Sequence, residues 1–496
     1  MLDDLHVKCI PFGEENEFDV RELWKSSNEF LTFSNAFQLP GAARKVLCKV
    51  VADQNPELSN ELIEDLHNPN TFTITTGHQL SFLGGPLYFY LKIAELINLA
   101  KSVNSKLNGE AKVIPVFWMA TEDHDLAEIF EPIYKGQEIR FEDLPNNLQS
   151  GKWRWSGKEH QTFIDYAESV DLPHAWRNLL LEGDSQASFT RKIVRYFFPD
   201  EDLVILDANN ANLKSLTQDL FTQDLNGITR DAFEESKKRS LNAGDKLQIQ
   251  AQTINSFGLI GDQRHKIERF INGVISLDNG AQHKLEEIKP HFWSPNVVLR
   301  PLFQQSILPN IMYLGGGAEV KYWGQLKEVF AAYKKPFPLV KQRLSYGQIS
   351  SEDFKTWEKS GLDSDFLLKK WEQVELHYLE NESRDALVDL TTLITSLKEA
   401  TSFGLSQILG TSNPAFQAGE QKRVEQFEVR IKRKIRKNTR ETKAQEIVEL
   451  KRIYDSLRYN GVLKERRCHP LDFNYTNIPW NKVFSAANSG FVLQLI

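Results

Sequence analysis

Apolar and polar positions along the first two thirds of the chain alternate between short apolar runs and amphipathic stretches with a helical repeat. The run 71–76 is rich in β-branched residues and predicts a buried strand, and 87–100 carries apolar residues at helical spacing. The runs 113–120, 203–207 and 311–314 are apolar segments of strand length. Continuous apolar strands separated by helices are typical of a parallel sheet covered on both faces. The pattern therefore predicts an α/β protein with a doubly wound parallel-sheet core.

Two stretches interrupt this pattern and are predicted to be insertions into the core. Residues 131–200 are rich in tryptophan, glycine and charge and show little periodicity, whereas 208–290 begin as polar helix. Within the second stretch, 248–255 are predicted to form a strand, and the strand-like run 297–300 leads into a helix. The predicted core, including both insertions, spans residues 1–351.

From residue 352 onward the pattern changes to long helices. Apolar residues recur at intervals of three and four from 387 to 397, and again throughout 415–458. The glycine- and proline-containing segment 410–414 is predicted to break the chain between the two repeats. We therefore expect an antiparallel helical coiled-coil arm over 352–460, followed by a return segment, 461–496, that packs on the core.

The composition is that of an ordinary globular protein, with 41% hydrophobic and 26% charged residues among 496. The net charge of −7 predicts no nucleic-acid partner, and the basic residues between 430 and 443 are interpreted as a solvated face of the arm rather than an RNA-binding surface. Three scattered cysteines, Cys9, Cys48 and Cys468, favour a reducing compartment. No apolar run is long enough to span a membrane and the first residues are acidic, so a cytoplasmic protein is expected.

Three loops follow strands of the predicted sheet at their carboxyl ends, where open α/β folds bind ligands. Each loop combines glycine or a polar cluster with a following helix, whose free N–H groups favour an anion. A turn that serves only tight packing is the alternative for the glycine loops. The candidate residues are Gly77, His78, Gln79, Gly84, Gly85 and Tyr88 in the first loop and its helix, Glu122, Asp123, His124 and Asp125 in the second, and Gly315, Gly316, Glu319 and Tyr322 in the third.

The cluster Glu122-Asp123-His124-Asp125 is the strongest candidate on physical grounds. Three carboxylates and one imidazole are costly to bury without partners, so the cluster predicts either a functional cleft or a solvated acidic turn. In a cleft, His124 is expected to act as a general acid or base supported by Asp123 or Asp125, or to bind a substrate carboxylate. Metal binding through His124 and Asp125 is the weaker alternative, because no second histidine is placed beside them, and we expect no metal.

Two further charged residues accompany these loops. Arg300 lies at the end of the strand-like run and could bind an anionic substrate, since guanidinium groups bind carboxylate and phosphate bidentately. A structural ion pair is the equal alternative for Arg300. Glu319 opens a predicted helix, where the helix dipole stabilises a carboxylate whether or not it binds a ligand.

Three segments together resemble a known family. They are TITTGHQLSFLGGPLYFYLKI, VIPVFWMATEDHDLAEI and NVVLRPLFQQSILPNIMYLGGGAEVKYWGQLKEVF. In order and spacing they resemble the cysteine-adding enzyme family of bacillithiol biosynthesis (BshC), and the resemblance extends over nearly the whole chain. The family usually has glutamine where this chain has His78, and often Gly-Gly-Pro where this chain has three glycines from Gly315.

The resemblance implies a Rossmann-like core similar to nucleotidyltransferases and class I aminoacyl-tRNA synthetases, with insertions and a coiled-coil arm. It implies a ligase that adds L-cysteine to glucosaminyl-malate in the last step of bacillithiol biosynthesis, and a homodimer. We expect His78, Asp123, His124 and Asp125 to be the catalytic residues of such an enzyme. The cofactor is unknown from the sequence, although activation of the cysteine carboxyl makes ATP or another adenine nucleotide the obvious choice.

Other functions remain open at this point. The cluster at 122–125 could serve a metal-dependent phosphohydrolase or a nucleotidyltransferase, and the helical arm could serve a coiled-coil assembly protein. If the ligase hypothesis is correct, the loops at Gly77 and Gly84 contact substrate through backbone N–H groups, and the cluster at 122–125 moves a proton. Arg300 and Glu319 would then flank the malate or the sugar.

Overall fold

The computed structural model describes residues 7–10, 26–131, 133–244, 246–404, 407–408, 414–473, 475, 478, 480, 483–484 and 490–496. The chain divides into two compact units. The larger unit comprises residues 12–346 and 464–492, and the smaller unit comprises residues 1–11, 347–463 and 493–496. Each unit therefore contains discontinuous pieces of the chain. The predicted limits of core, arm and return segment stay predictions.

A parallel sheet lies at the centre of the larger unit. Its first strand in chain order is central, with the second and third on one side and the fourth and fifth on the other. The chain builds outward from the first strand and then crosses to its other side, so a topological switch point lies between the first and fourth strands. The predicted Rossmann-like, doubly wound core is confirmed. In chain order the five strands are Thr71–His78, Lys112–Met119, Val204–Asp207, Asn310–Gly315 and Leu339–Gln342.

Both faces of this sheet are covered, which explains the continuous apolar runs of its strands. On one face, Phe72 and Ile74 pack in a cluster with Leu96 and Leu99 of the helix Leu87–Asn104. On the opposite face, Val116 and Val204 pack in a second cluster with Leu47 of the helix Gly41–Gln54. Because the five strands are parallel, their carboxyl ends lie together at one edge of the sheet.

Side-chain oxygens begin several helices of the larger unit. The hydroxyl of Ser59 accepts a hydrogen bond from the N–H of Leu62, and the Asn210 side chain accepts from the N–H groups of Asn212 and Leu213.

Among the described residues of the whole chain, no helix is both long and apolar enough to cross a bilayer. The other helices of the larger unit are Ser27–Ser34, Asn60–His67, Leu126–Ile129, Lys158–Ser169, His174–Arg177, Gln186–Phe197, Ala211–Ser215, Gln218–Leu225, Ile228–Asn242, Arg300–Ile307, Gly317–Gly324 and Lys327–Ala332.

A second sheet of the larger unit is antiparallel and was not predicted. Its hairpins lie within and just beyond the insertion 208–290, where charged and polar residues obscure the two-residue repeat of a strand. Side chains of this sheet reach the carboxyl edge of the parallel sheet. Its strands are Ser256–Ile260, Gln263–Ile271, Val274–Leu277, Gln282–Lys284 and Trp293–Pro295.

Two predicted strands are wrong. Residues 248–255 form no strand, because side chains take up their backbone N–H groups: the N–H of Gln252 donates to the Asn255 side chain, and the N–H of Asn255 donates to Asp224 of the helix Gln218–Leu225. The run 297–300 is a turn in which the Asn296 side chain accepts from the N–H groups that follow it. Arg300 consequently begins a helix rather than ending a strand.

The smaller unit is mainly helical. Ion pairs join Glu375 to Arg440, Glu380 to Arg436 and Lys398 to Glu428. Residue numbers therefore increase along one helical segment while they decrease along the segment paired with it. The helices are therefore antiparallel, while the coiled coil stays a prediction. The predicted helix 415–458 is interrupted at Lys443, and most of the predicted break at 410–414 lies outside the described residues. The helices of this unit are Ser351–Lys359, Trp371–Glu382, Arg384–Glu399, Pro414–Thr442 and Ala444–Ser456.

Short strands also occur outside the two five-stranded sheets. The strand Val7–Ile10 belongs to the smaller unit, as do the paired strands Arg458–Tyr459 and Val462–Leu463. A second short pair, Ile133–Tyr134 and Gln137–Glu138, belongs to the larger unit. The boundaries between the units fall inside the strands Ser345–Ile349 and Phe491–Leu495, of which the second lies in the predicted return segment.

Candidate functional site

A cavity of about 340 Å³ opens at the carboxyl edge of the parallel sheet in the larger unit. The ends of the first and second strands, the loop after the third and the helix after the fourth all contribute to its wall. The antiparallel sheet contributes Phe257, Arg264 and Pro295. The cavity therefore occupies the switch point of the sheet, where this class of fold binds ligands. Of the predicted residues, Gly77, His78, Gln79, Glu122, Asp123, His124, Arg300 and Glu319 line it.

The other predicted residues lie around the cavity instead of in its wall. Asp125 is exposed and caps the short helix Leu126–Ile129, accepting from the N–H of Glu128. Tyr88 lines a small neighbouring cavity of about 70 Å³ and packs against the ring of His78, with ring centroids 5.1 Å apart. Tyr322 accepts a hydrogen bond from Arg300. The remaining four, which shape the two glycine loops, are Gly84, Gly85, Gly315 and Gly316.

Glu319 is the centre of a hydrogen-bonded network at one end of the cavity. Its carboxylate accepts from Lys92 Nζ at 2.7 Å, from the Tyr313 hydroxyl at 2.8 Å and from the Gly316 N–H at 2.7 Å. Burial alone would raise the pKa of Glu319, but Lys92 and these hydrogen bonds lower it to about 2. Glu319 is therefore a fixed anion at neutral pH, and Lys92 ties it to the first strand by donating also to the carbonyl of Gly77 at 2.7 Å.

Arg300 supplies positive charge beside this network. Its Nη2 donates to the Tyr322 hydroxyl at 2.6 Å, and a Cβ added at Gly77 would lie 3.3 Å from its Nη1. Glycine at position 77 therefore lets the guanidinium lie close to the first strand. Arg300 lines the cavity from the first turn of its helix and presents a permanent cation to a bound carboxylate or phosphate.

Glu122 is held by a lysine from outside the motif. Lys214, which has no exposed side-chain surface, donates to Glu122 at 2.5 Å and to the Asn209 side-chain oxygen at 2.6 Å. Asn209 in turn donates to the Gln149 side chain at 2.7 Å. Glu122 is thereby charge-compensated, so its main role in this structure is to fix the wall of the cavity.

Asp123 remains accessible at the centre of the wall. Its Oδ2 accepts from the Gln79 amide at 3.0 Å, and its Oδ1 accepts from the N–H of His124 at 2.9 Å. The same Gln79 nitrogen donates to Glu128 at 2.7 Å, which orients the amide toward both carboxylates. About a third of the Asp123 side chain is exposed, 33%, so one carboxylate of the cluster can reach a ligand directly.

The two histidines of the site are both expected to be neutral. Burial lowers the pKa of His78 to about 4, and the charge of Lys92 acts in the same direction. Burial and the neighbouring Arg264 lower the pKa of His124, although Asp123 and Asp125 raise it as predicted. The acidic neighbours therefore raise the pKa of His124 less than burial and Arg264 lower it.

The sequence did not reveal three charged residues of this region. Lys92 is a charged residue in an otherwise apolar helix and is 2% exposed. A charge at a buried position of the apolar repeat could have indicated that this lysine has a functional partner. Lys214 lies in a polar helical stretch with no distinguishing pattern. Arg264 lies on a hairpin of the unpredicted sheet, far in sequence from the strand ends of the core. Among the described residues, no three His, Cys, Asp or Glu side chains are arranged to hold a metal ion.

Comparison with known proteins gives the same family as the three motifs. The family described as "Bacillithiol biosynthesis BshC, N-terminal Rossmann-like domain" matches residues 14–344. A protein of Flavobacterium psychrophilum is 31% identical over 437 residues, which cover 83% of this chain and 79% of the relative. A protein of Cytophaga hutchinsonii is 29% identical over 82% of this chain and 78% of its own length, and one of Bacillus cytotoxicus is 26% identical over 82% and 80%.

Each of these three relatives is named "Putative cysteine ligase BshC". The family match covers the five strands of the parallel sheet and every residue that lines the cavity. These likenesses identify the chain as a ligase enzyme and extend well beyond the Rossmann-like region. The chain belongs to the BshC family of bacillithiol biosynthesis.

Proposed function

We propose that this chain joins the carboxyl group of L-cysteine to the amino group of glucosaminyl-malate, in the last step of bacillithiol biosynthesis. The observation that carries the proposal is the cavity at the switch point of the sheet, which combines permanent cations with one accessible carboxylate. Arg300 offers a guanidinium suited to the carboxylates of malate, and Asp123 offers an acceptor for an ammonium or amine. The membership in the BshC family supports this assignment of substrates.

The reaction requires an activated cysteine carboxyl and a neutral attacking amine. We propose that the amine nitrogen forms the new C–N bond while the C–O bond to the activating group breaks and the leaving group departs with its electron pair. The nitrogen must then lose a proton, and in this proposal Asp123 accepts it. Gln79 and the N–H of His124 occupy one lone pair on each oxygen of Asp123, which fixes the carboxylate without neutralising it.

The remaining residues of the cavity position the substrates in this proposal. Arg300 and Glu319 flank the malate or the sugar, because they form one wall and carry opposite charges. Gly77 allows the guanidinium of Arg300 to approach the first strand. Neutral His78 contributes a polar group without adding a positive charge next to Lys92. The activating co-substrate in the proposal is ATP or another adenine nucleotide.

The test is a direct assay of the purified protein with L-cysteine, glucosaminyl-malate and ATP. Mass spectrometry should detect the amide product, and the release of AMP or ADP would distinguish adenylation from phosphorylation of the carboxyl. L-Serine in place of cysteine is the matched control for thiol selectivity. If the folded protein forms no amide with ATP or any other nucleoside triphosphate, the proposed reaction is wrong.

The proposal extends to the assembly and location of the protein. We propose that the antiparallel helices of the smaller unit form a coiled-coil arm, that the protein is a homodimer, and that it works in the cytoplasm. The arm is supported by a buried apolar cluster of Leu390, Ile394 and Val424 within the smaller unit. Light scattering coupled to size-exclusion chromatography should give twice the 57.1 kDa mass of the chain. A monomeric mass at micromolar concentration would contradict the dimer.

A further inference from the structure

His124 meets a cation, and not a carboxylate, at its Nδ1 atom. Arg264, from the antiparallel strand Gln263–Ile271, places its Nη1 3.2 Å from His124 Nδ1. The nearest oxygen of Asp123 is 4.0 Å from the same Nδ1, which is too far for a hydrogen bond. The contact with Arg264 therefore determines what Nδ1 can do.

The identity of the partner decides the tautomer of the imidazole. A guanidinium has five N–H donors and no acceptor, so it can only donate in this contact. His124 Nδ1 must then carry the lone pair, and the single proton of the neutral ring must lie on Nε2. Among the described residues Nε2 of His124 has no hydrogen-bond partner, and the residue lines the cavity.

Arg264 is itself fixed in this position. Its guanidinium is buried, its Nη2 donates to the carbonyl of Pro295 at 2.7 Å, and its plane lies over the ring of Phe257 at 4.2 Å. Its Nη1 is also 4.0 Å from Asp123 Oδ1. Because these contacts hold the group from several sides, the donor cannot turn away to accommodate the other tautomer of His124 without losing them.

The charges around His124 also favour the neutral ring. Arg264 faces it from the antiparallel sheet, Asp123 and Asp125 flank it in its own loop, and Asp278 acts on it from the turn after the strand Val274–Leu277. Burial is the largest influence and lowers its pKa, Arg264 lowers it further, and the three aspartates raise it less than these two lower it.

His78 provides the opposite case in the same cavity wall. Its Nδ1 lies 2.8 Å from the backbone carbonyl of Gln79, and a carbonyl oxygen can only accept. His78 therefore carries its proton on Nδ1 and its lone pair on Nε2. The site thus contains two neutral histidines with opposite tautomers, set by a carbonyl in one case and by an arginine in the other.

We propose that Arg264 is a positioning residue that fixes His124 as the Nε2–H tautomer, so that His124 donates a hydrogen bond to the ligand and accepts no proton from it. The catalytic part of this proposal rests on the proposed ligase function. In that reaction the Nε2–H group would stabilise the oxygen of the activated cysteine carboxyl as negative charge develops on it. Proton acceptance from the amine is then left to Asp123.

The tautomer can be measured without any assay of activity. Nuclear magnetic resonance of the tag-free protein labelled with ¹³C and ¹⁵N in its 11 histidines distinguishes Nδ1–H, Nε2–H and imidazolium by their ring shifts. Comparison with His124→Gln assigns the signals of His124. His78 is the internal reference for the Nδ1–H form. His469 is the reference for the Nε2–H form, because its Nε2 lies 3.2 Å from the carbonyl of Leu83 and its Nδ1 accepts from the N–H of Leu471.

The expected result is that His124 gives the Nε2–H pattern from pH 6.5 to 8, as His469 does and His78 does not. In Arg264→Met the guanidinium is gone, so His124 should populate both tautomers and its pKa should rise, while His78 is unchanged. An Nδ1–H or imidazolium pattern for His124 in the unmodified protein would overturn the proposal. That spectrum decides the matter even where Arg264→Met does not fold.

Two variants of His124 test the catalytic part. The amide nitrogen of Gln reaches the position of Nε2, whereas that of Asn reaches the position of Nδ1. His124→Gln should keep the rate of amide formation within about 10-fold, and His124→Asn should lower it by about 100-fold, the usual effect of removing one such donor. Equal losses in both variants would show that the Nε2–H group does not act in the reaction. If the unmodified protein forms no amide, the ligase proposal fails, and the tautomer result still stands or falls by its own spectrum.

Discussion

Lys92 and Glu319 form an ion pair between the helices that follow the first and fourth core strands, at the switch point of the sheet. Lys92 Nζ lies 2.7 Å from Glu319 Oε2 and donates also to the carbonyl of Gly77. Lys92 is 2% exposed, whereas Glu319 keeps 26% of its side-chain surface because it borders the cavity. Burial lowers the pKa of Lys92 although Glu319 raises it, because removal from water disfavours the charged form.

Removing Lys92 should therefore destabilise the larger unit strongly. Lys92→Met leaves Glu319 without its cation, and breaking a buried pair in this way costs about 3–5 kcal/mol of unfolding free energy. Urea unfolding followed by circular dichroism measures the change. Lys101→Met on the same helix is the control, because Lys101 is 63% exposed, and a change within about 0.5 kcal/mol is expected for such a surface residue. Equal effects of the two substitutions would show that the buried pair has no special role.

The stability of the protein should also depend on the ionisation of Glu319. Its pKa is about 2 in the folded protein against an ordinary value of 4.5, so its contribution is complete above the ordinary pKa and is lost as the pH falls through the folded value. By pH 3.5 the loss relative to pH 7 should reach about 1 kcal/mol. Urea unfolding of the unmodified protein and of Glu319→Gln at several pH values isolates this loss. The difference between the two proteins should shrink on acidification, and a constant difference would contradict the low pKa.

The first glycine loop makes a separate prediction about stability. Gly84 has a φ of +77°, and a Cβ added there would lie 2.2 Å from the Tyr90 hydroxyl. Gly84→Ala should therefore cost about 2–5 kcal/mol through backbone strain and overpacking. Gly41→Ala is the matched control, since Gly41 begins a helix and a Cβ there has nothing within 4 Å. Thermal unfolding should show a lower Tm for Gly84→Ala and an unchanged or slightly higher Tm for Gly41→Ala.

Part of this site could be predicted from the sequence, and the rest could not. The loops at Gly77 and Glu122 were predicted because strand ends and helix starts leave a local signal in hydrophobicity and glycine. Arg264 was not, because its role depends on a hairpin that folds back over the core from a polar insertion. A contact between residues so distant in the chain leaves no periodic pattern.

The same limit applies to the corrected predictions. The strand predicted at 248–255 and the strand-like run at 297–300 are both segments whose backbone is taken by nearby side chains, those of Asp224 and Asn296. Composition alone does not reveal such hydrogen bonds, because the partner can be a neighbour, as for Asn296, or lie on a helix far away in the chain, as for Asp224. Strands in the interior of the sheet were predictable because burial on two faces selects their residue types.

Two aspartates of one motif are predicted to differ in their effect on activity. Asp123 lines the cavity, whereas Asp125 is exposed and caps a short helix. Asp123→Asn preserves the shape but removes the proton acceptor, so the rate of amide formation should fall by about 100-fold or more. Asp125→Ser retains a capping oxygen and should leave both the rate and the fold nearly unchanged. Comparable losses of activity in the two variants would reject the assignment of Asp123 as the proton acceptor.

Lys214 and Glu122 should show strong energetic coupling. Lys214 has no exposed side-chain surface and Glu122 has 13%, so each ion depends on the other for compensation. Lys214→Met should lower the free energy of unfolding by about 3–5 kcal/mol, because it leaves the carboxylate of Glu122 in the wall of the cavity without its cation.

Adding Glu122→Gln to Lys214→Met should recover part of that loss, since the unpaired charge is then gone. A double-mutant cycle from urea unfolding measures the coupling, and about 1–3 kcal/mol is expected for groups in direct contact. Lys238→Met is the control, because Lys238 and its partner Glu235 are both about two thirds exposed, at 67% and 64%. The cycle for that surface pair should give a coupling near zero. A coupling near zero for Lys214 and Glu122 as well would mean that Asn209, rather than the ion pair, holds the Lys214 ammonium in place.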